Sequence, residues 1–273
     1  MGERKNIISA PYAINRAFLA CDYIIKNYSK KSKILDMACG FGYVCHVLSK
    51  KEYVTTGFDI SKEAIKIAKN KAAQLNQNQD NFIISNENFL NSLEDSSFDA
   101  VLGLGYLRYL DNNLQNKVYN NVKRILKKDG TFILDHQNIL YEMFALNNES
   151  LIFWENFISS YCDLSPIFKK DELLRRLNEH IKTPIRKRAK HSASAKMNVS
   201  SENPLAFKEK INSIGFELLD ILYPFSEIIP PFLQKEVDAK KLEKIQREIS
   251  LKNFRNWRSM FMCFQFLTIL KKI

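Results

Sequence analysis

The sequence predicts an α/β fold in which a doubly wound, mostly parallel sheet carries helices on both faces. Apolar runs of four to six residues alternate with amphipathic helical segments between residues 33 and 138. Strands covered on both faces have such runs, and a repeated strand–helix–strand order gives parallel strands. The chain of 273 residues is long enough for one large domain with an insertion.

Five strands and three of the helices between them can be placed from these patterns. The predicted strands are 33–38, 53–59, 81–86, 98–105 and 130–138, and the predicted helices are 42–51, 61–75 and 111–128. Ser61 and Asp111 stand where an N-cap is expected, because their side-chain oxygens can accept bonds from the free N–H groups of the first turn. Asp129-Gly130 is expected to end the third helix.

The alternation stops after residue 138 and resumes near residue 204, which divides the chain into three parts. Residues 1–138 are predicted to form an N-terminal helix and the first part of the core, and 139–203 a helical cap. Residues 204–273 return to the core, with strands at 216–225 and 259–272 and a helix at 234–249. A connection as long as 139–203 usually carries function.

The net charge of +11 is concentrated in two segments, 165–200 and 235–273. This pattern favours an anionic partner or substrate, although solubility alone also explains a charged surface. The basic run 182–196 could hold phosphate groups, or it could be a solvated loop. It contains no aromatic residue, and single-stranded RNA is commonly stacked on aromatic side chains, so RNA is the weaker interpretation.

The sequence ILDMACGFG at 34–42 is the most informative motif. No Lys-Ser/Thr pair follows Gly40 or Gly42, which excludes a P-loop. The third glycine of a dinucleotide loop is replaced by Cys45, and the charge of Asp36 would repel a pyrophosphate. Asp36 instead favours a ligand with a cationic end, and Asp59 follows 19 residues after Gly40, where an acid can accept ribose hydroxyls.

These motifs together resemble the class I S-adenosylmethionine-dependent methyltransferases. The matching segments are LDMACGFG, GFDIS, the SSFDAVLGLG stretch before residue 105, LKKDGTFIL and INSIGFELLDI. The resemblance covers 33–138 well and 204–272 loosely. It implies a seven-stranded Rossmann-like sheet whose last strand is antiparallel, and S-adenosylmethionine as cofactor.

The resemblance also implies which residues contact that cofactor. The glycine loop, the ribose acid, the adenine side and the methionine side are expected to be formed by Asp36, Ala38, Gly40, Gly42, Asp59, Ile60, Glu87, Asn88 and Leu104. The family usually has an aspartate where Glu87 stands. No metal site is expected, because the cysteines and histidines lack the spacing of ligand pairs.

His136 and Tyr106 are the candidate catalytic residues, since each follows a strand that borders the expected cleft. An imidazole with a pKa near neutrality could deprotonate an acceptor hydroxyl, although a histidine bonded into the loop is the plainer interpretation. Asp135, Asn138 and Arg108 are alternatives for substrate contact. Tyr12 and Arg16 could touch the methionine end of the cofactor or the substrate, but ordinary packing of an amphipathic helix is the favoured interpretation.

The predicted function is methylation, at oxygen, of a small or carrier-linked molecule such as a sugar, a lipid-linked glycan or another metabolite. RNA methylation through 182–196 and a non-catalytic cofactor-binding or assembly role remain alternatives. Neither a transmembrane segment nor a signal peptide is recognisable, so a cytoplasmic protein is expected. Aromatic and basic residues near the C-terminus, among them Trp257, could still rest on a membrane surface.

Overall fold

The computed structural model describes residues 11–146, 150–151, 175, 178–179, 200–229, 234 and 237–273. The helices are α1 (Pro11–Asn27), α2 (Tyr43–Ser49), α3 (Lys62–Gln74), α4 (Asn112–Ile125), α5 (Tyr141–Ala145), α6 (Phe207–Ile214), α7 (Ala239–Asn253) and α8 (Ser259–Met262). The strands are β1 (Lys33–Met37), β2 (Val54–Asp59), β3 (Phe82–Ile84), β4 (Phe98–Gly103), β5 (Leu126–Asn138), β6 (Ser201–Glu202), β7 (Phe216–Leu222) and β8 (Gln265–Lys272).

The strands form one mostly parallel sheet, as the sequence predicts. Their order is β3-β2-β1-β4-β5-β8-β7, and β8 runs antiparallel to both of its neighbours. The antiparallel last strand is therefore confirmed. The described part of the sheet has eight strands instead of seven, because the two-residue strand β6 also pairs with β5.

Helices cover both faces of the sheet and enclose two apolar layers. One layer joins β4, β5 and β8 to α4 and α6 through residues such as Tyr119, Phe132 and Phe207. The other joins the opposite face of the same strands to α1 and α2 through residues such as Ile24 and Leu48. This two-sided coverage explains why the central strands have continuous apolar sequences.

The predicted caps of α3 and α4 are confirmed, whereas several element ends differ from the predictions. Ser61 Oγ accepts a bond from the Ala64 N–H at 3.2 Å, and Asp111 Oδ1 accepts one from the Leu114 N–H at 2.9 Å. Helix α4 ends at Ile125 instead of residue 128, because Leu126 already pairs with β4. Asp129, with φ of +63°, lies in the register shift between the paired strands instead of ending a helix.

The C-terminal elements were also placed a few residues away from their observed positions. Strand β8 starts at Gln265, because residues 259–262 form the short helix α8. Strand β7 ends at Leu222, ahead of the proline at 224, and α7 starts after its N-cap Asp238. The boundaries at 138 and 203 stay predictions, and most of the predicted cap lies outside the described residues.

Candidate active site

The predicted site residues lie along one edge of the sheet, where the parallel strands β1 to β5 end. We call this the carboxyl edge. Asp36 on β1 is in register with Gly57 on β2 and Leu102 on β4, and Leu102 pairs with Ile133 on β5. Ligands of open α/β sheets bind at this edge, outside the carboxyl ends of the strands.

The glycine loop is held in place by the carboxylate of Asp59. Asp59 Oδ2 accepts the backbone N–H of Gly40 at 2.9 Å, and Oδ1 accepts that of Ser61 at 2.8 Å. The loop is also joined to β2 by the Cys39 N–H, which donates to the Phe58 carbonyl at 3.0 Å. Each carboxylate oxygen has a second lone pair, so Asp59 can still accept hydroxyl groups from a ribose.

Glycine is needed at the two positions of the loop for different physical reasons. Both have positive φ values, +54° at Gly40 and +75° at Gly42. A Cβ on Gly42 would lie 2.5 Å from Phe82, so this glycine permits close packing of the loop on α3 and β3. Apart from its chain neighbours, no heavy atom of the described residues lies within 4 Å of where a Cβ on Gly40 would stand. Space over the Gly40 backbone is what a ligand needs in order to approach the loop closely.

Asp36 is buried and has an incomplete set of partners. Its exposed fraction is 4%, and among the described residues its hydrogen-bond partner is the Cys45 thiol, 3.9 Å away. Burial raises the pKa of Asp36 to about 7; nearby Arg16 opposes this shift and Asp59 adds to it. A buried carboxylate without a close cation favours binding of a positively charged group.

The remaining predicted cofactor residues lie in or after the ends of β1 to β4, and their roles stay predictions. Ala38 has a φ of +53°, which aims the loop away from β1. The side chain of Ile60 is 76% exposed at the end of β2, so it presents an apolar surface that an adenine could cover. Glu87 and Asn88 begin the short helix after β3 and line a cavity of about 270 Å³ with α4. Leu104 packs beside the α1 layer.

A second carboxylate, Asp135, organises the β5 end of the carboxyl edge. Arg16 Nη1 contacts Asp135 Oδ2 at 2.7 Å, and Arg108 Nη1 contacts the same oxygen at 3.2 Å. The Tyr12 hydroxyl donates to Oδ2 at 3.1 Å, and the Gly105 N–H donates to Oδ1. We call these five residues the Asp135 cluster.

The Asp135 cluster is held together by charge. Burial alone would raise the pKa of Asp135, but the guanidinium groups of Arg16 and Arg108 outweigh it and hold the pKa at about 2. Two cations therefore share one carboxylate. If Asp36 nearby is protonated, one positive charge is left at this end of the site.

Sequence reasoning named the members of this cluster separately and did not predict that they meet. Tyr12 and Arg16 were interpreted mainly as helix-packing residues, and Asp135 as an alternative substrate contact. The useful signal was Asp135 itself, because it directly follows the apolar run 132–134 on a strand buried on both faces. A charge in that position requires cationic partners from elsewhere in the chain.

The two predicted catalytic residues have contrasting surroundings. The Tyr106 hydroxyl is buried and has no hydrogen-bond partner within the described structure. Burial raises the pKa of this phenol, with a further contribution from Glu87, so Tyr106 is neutral and able to donate a hydrogen bond. A buried, unpaired hydroxyl at this edge is suited to contact a ligand.

His136 points into the apolar layer that the sheet forms with α4 and α6, on the opposite face of the sheet from the α1 layer. Its ring packs between Phe207 and Phe266, with centroid distances of 4.4 and 5.0 Å, and its Nε2 lies 3.1 Å from Thr268 Oγ1. Burial lowers the pKa of His136 to about 3. Its role as a base stays a prediction, but these surroundings resemble a structural histidine more than a base in a cleft. The other alternative, Asn138, donates to the carbonyls of Met260 and Cys263.

The basic run 182–196, assigned to phosphate or RNA binding, lies outside the described residues. Within the described part of the chain, no helix combines the length and apolar character needed to cross a membrane.

A family model described as a methyltransferase domain matches residues 28–191, which is more than half of the chain. The chain belongs to the class I S-adenosylmethionine-dependent methyltransferases. This confirms the resemblance drawn from the glycine loop, and the cofactor that the family implies is S-adenosylmethionine.

Curated relatives of this chain match only part of its length. YqeM of Bacillus subtilis, which is named as a candidate methyltransferase, is 27% identical over 150 residues, or 50% of this chain and 59% of YqeM. A similarly named protein of Geobacillus is 30% identical over 132 residues, or 46% of this chain and 51% of that protein. The chain thus spans between half and three fifths of the length of these relatives.

Solved structures share the fold of this chain over almost its whole length. A Methanosarcina mazei S-adenosylmethionine-dependent methyltransferase superposes with a TM-score of 0.52 at 20% identity, covering 92% of this chain and 97% of that one. A Listeria monocytogenes protein described as a candidate for the same activity gives a TM-score of 0.54 at 14% identity, covering 96% and 98%. At such identities the likeness concerns the fold alone.

The residues at the carboxyl edge fit the cofactor that the family implies. The space over Gly40 allows a ligand to approach the backbone closely, and the exposed Ile60 offers an apolar surface. The carboxylates of Asp36 and Asp59 offer acceptors for ammonium and hydroxyl groups. No residue of the loop carries the Lys-Ser/Thr pair that a phosphate ligand would require.

Proposed function

We propose that this chain transfers a methyl group from S-adenosylmethionine to an oxygen of a small or carrier-linked molecule that bears an anionic group. Sugars, lipid-linked glycans and other metabolites belong to this class of acceptor. The observation that carries the proposal is the arrangement of two carboxylates on one carboxyl edge, Asp36 on β1 and Asp135 on β5, with β4 between them.

The β1 and β2 ends are assigned to the cofactor. The Gly40 backbone and Asp59 would hold the nucleoside, and Ile60 would cover one face of the base. Asp36 would face the cationic end of the methionine. When bound, S-adenosylmethionine supplies a methyl group on a sulfonium sulfur, and the protein contributes mainly alignment.

The β5 end is assigned to the acceptor. Arg16 and Arg108 have side chains that are 17% and 12% exposed, so they can reach a ligand while they remain paired with Asp135. Their combined charge supports binding of a carboxylate, phosphate or acidic hydroxyl. If the acceptor is a hydroxyl, its proton would be released to water, and the two guanidinium groups would favour this loss because they stabilise the oxygen anion.

Tyr106 is assigned to the junction between these two halves. Its neutral hydroxyl has no partner among the described residues, so it can donate to the acceptor or to the cofactor without breaking an existing bond. We therefore favour Tyr106 over His136 for direct contact with the reacting molecules.

Two measurements test this proposal. Thermal shift with S-adenosylmethionine, S-adenosylhomocysteine and NAD should show stabilisation by the first two alone, and stabilisation by NAD alone would contradict the cofactor assignment. Transfer of a labelled methyl group should then be measured with metabolite, lipid and nuclease-treated extracts. Label in the metabolite or lipid fraction supports the proposal, nuclease-sensitive label supports RNA methylation, and cofactor binding without transfer supports a non-catalytic role.

Variants separate the two candidate catalytic residues. Tyr106→Phe removes one hydroxyl from a site where it has no described partner, so stability should hold while turnover falls by about tenfold or more. His136→Asn should reduce stability, because a packed ring is lost, with little change in the rate per folded molecule. Full turnover in Tyr106→Phe would remove Tyr106 from the mechanism.

A further inference from the structure

An exposed group of aromatic and basic side chains lies where α7 ends and α8 begins. The side chain of Trp257 is 61% exposed and that of Phe261 is 36% exposed. Their rings meet edge to face, with centroids 6.4 Å apart. We call Trp257 and Phe261, together with Lys252 and Arg258, the aromatic-basic patch.

The backbone beneath the patch is firmly held. Asn138 Nδ2 donates to the Met260 carbonyl at 2.6 Å and to the Cys263 carbonyl at 2.8 Å. Ser259 is buried, and its hydroxyl accepts a bond from Ser226 Oγ at 2.8 Å. The rings of Trp257 and Phe261 are therefore exposed on a fixed support and do not belong to a loose chain end.

The charges of the patch have one sign. Residues 252–262 include one lysine and two arginines and no acidic residue. Arg255 is paired with Asp220 at 2.7 Å, which leaves Lys252 and Arg258 as the cations directed outward. The Arg258 guanidinium lies over the Trp257 ring, 4.8 Å from its centroid, so charge and aromatic surface are presented together.

The patch lies at the same edge of the sheet as the candidate active site. Strand β8 begins at this edge, where Gln265 pairs with Gln137 of β5, and α8 directly precedes β8. Asn138, which holds the α8 backbone, is three residues from Asp135. A surface that binds the patch would therefore meet the acceptor end of the site first.

We propose that the aromatic-basic patch docks the protein on an anionic lipid surface. Tryptophan and phenylalanine insert at the headgroup level, and neighbouring lysines and arginines are attracted to acidic lipids. An apolar ring pair surrounded by cations matches this environment in both polarity and charge. The inference does not depend on methyl transfer, because docking needs neither cofactor nor acceptor.

The fluorescence of Trp257 tests the inference directly. The chain has two tryptophans, and Trp154→Phe leaves Trp257 as the single indole. This variant should be titrated with vesicles of phosphatidylcholine alone and of phosphatidylcholine mixed with phosphatidylglycerol. We expect its emission to shift to shorter wavelength with the anionic vesicles alone, and the shift to weaken as salt is added.

Sedimentation with the same vesicles compares patch variants with matched control variants. Trp257→Ala with Phe261→Ala should abolish binding, and Lys252→Gln with Arg258→Gln should weaken it by roughly fivefold per cation. The controls are Ile67→Ala and Lys62→Gln with Lys66→Gln on α3, at the β3 end of the sheet, where Ile67 is 44% exposed. These controls should bind like the unaltered chain.

Several results would overturn the inference. They are an absence of binding, equal binding to neutral vesicles, or an equal loss of binding in the α3 variants. Binding in which the emission of Trp257 does not move would place the lipid contact elsewhere on the chain and would also overturn it. Because all of these assays omit the cofactor, their failure leaves the proposed methyl transfer untouched.

Discussion

Asp36 and Asp135 are two buried carboxylates on one edge of one sheet, yet their surroundings shift their pKa values in opposite directions. Asp36 has a thiol as its described hydrogen-bond partner, and burial raises its pKa to about 7. Asp135 accepts bonds from Tyr12, Arg16, Arg108 and the Gly105 N–H, and its pKa falls to about 2. Burial is similar in both, so the partners decide the outcome.

The difference shows which of the two carboxylates has close cationic partners within the described protein. At the β5 end the carboxylate of Asp135 is paired within the protein, with one positive charge in excess, and the Asp135 cluster ties α1 to the sheet. The β1 end keeps a carboxylate that is not matched by a close cation, beside a glycine whose backbone is open. This difference supports the proposal that the β1 end holds a ligand that brings positive charge, whereas the Asp135 cluster also supports the fold.

The largest effect is expected for Asp135→Asn. Two guanidinium groups would lose their counter-charge inside the protein, which should lower the free energy of unfolding by about 3–5 kcal/mol. Urea denaturation measures this loss. The control is Asp95→Asn, whose pair with Arg124 is on the surface and should contribute less than about 1 kcal/mol. Equal effects of the two substitutions would contradict the role of the Asp135 cluster.

The pH dependence of this effect has a definite sign. Since the pKa of folded Asp135 is about 2 and that of an unfolded aspartate is about 3.9, its contribution is complete above about pH 4. The difference between the unaltered chain and Asp135→Asn should therefore shrink as the pH falls from 4 to 2.

Gly42→Ala should have the next largest effect. The new Cβ would lie 2.5 Å from Phe82, at a residue with φ of +75°. Crowding and backbone strain together should lower the free energy of unfolding by about 3 kcal/mol. The thermal midpoint measures this loss, and a midpoint within a degree or two of the unaltered chain would show that the loop can rearrange.

Asp36→Asn should have a smaller effect of the opposite sign. The folded chain holds a proton on Asp36 up to about pH 7, whereas the unfolded chain loses it near pH 4, so this residue destabilises the fold as the pH rises through that interval. A rise of about 3 units in pKa corresponds to about 4 kcal/mol, of which the burial of the asparagine amide offsets part, so the variant should be more stable at pH 8 by about 2 kcal/mol. This gain should disappear toward pH 4. Denaturation at both pH values measures it; a pH-independent difference would contradict the assignment.

What could be predicted from the sequence follows the same division. Gly40 of the glycine loop and Asp59 are 19 residues apart, and their hydrogen bond lies within one strand–helix–strand unit that has a recognisable pattern. Arg16 and Asp135 are 119 residues apart, and no local pattern joins them. Their contact depends on where α1 packs, which is decided by the whole α1 layer of the core.

The errors at element ends have a similar cause. Residues 126–128 have the helical pattern of α4, but pairing of Leu126 with Phe98 draws them into β5. Residues 259–262 have the apolar character of a strand, but the Asn138 side chain binds the carbonyls on either side of their last turn. In both places a tertiary contact outweighs the local preference. His136 was predicted to face the cleft because its tertiary contacts with β8 and α6 could not be read from the sequence.

Gly40→Ala tests the central claim most directly, because it separates the ligand site from the fold. Its Cβ would meet none of the described residues within 4 Å beyond its chain neighbours, so the thermal midpoint should change by the equivalent of about 1 kcal/mol, the cost of a positive φ. The dissociation constant for S-adenosylhomocysteine, measured by titration calorimetry, should rise by about tenfold or more, because the methyl group fills the space that the nucleoside needs. An unchanged dissociation constant in a folded Gly40→Ala variant would contradict the claim that the cofactor lies over this loop.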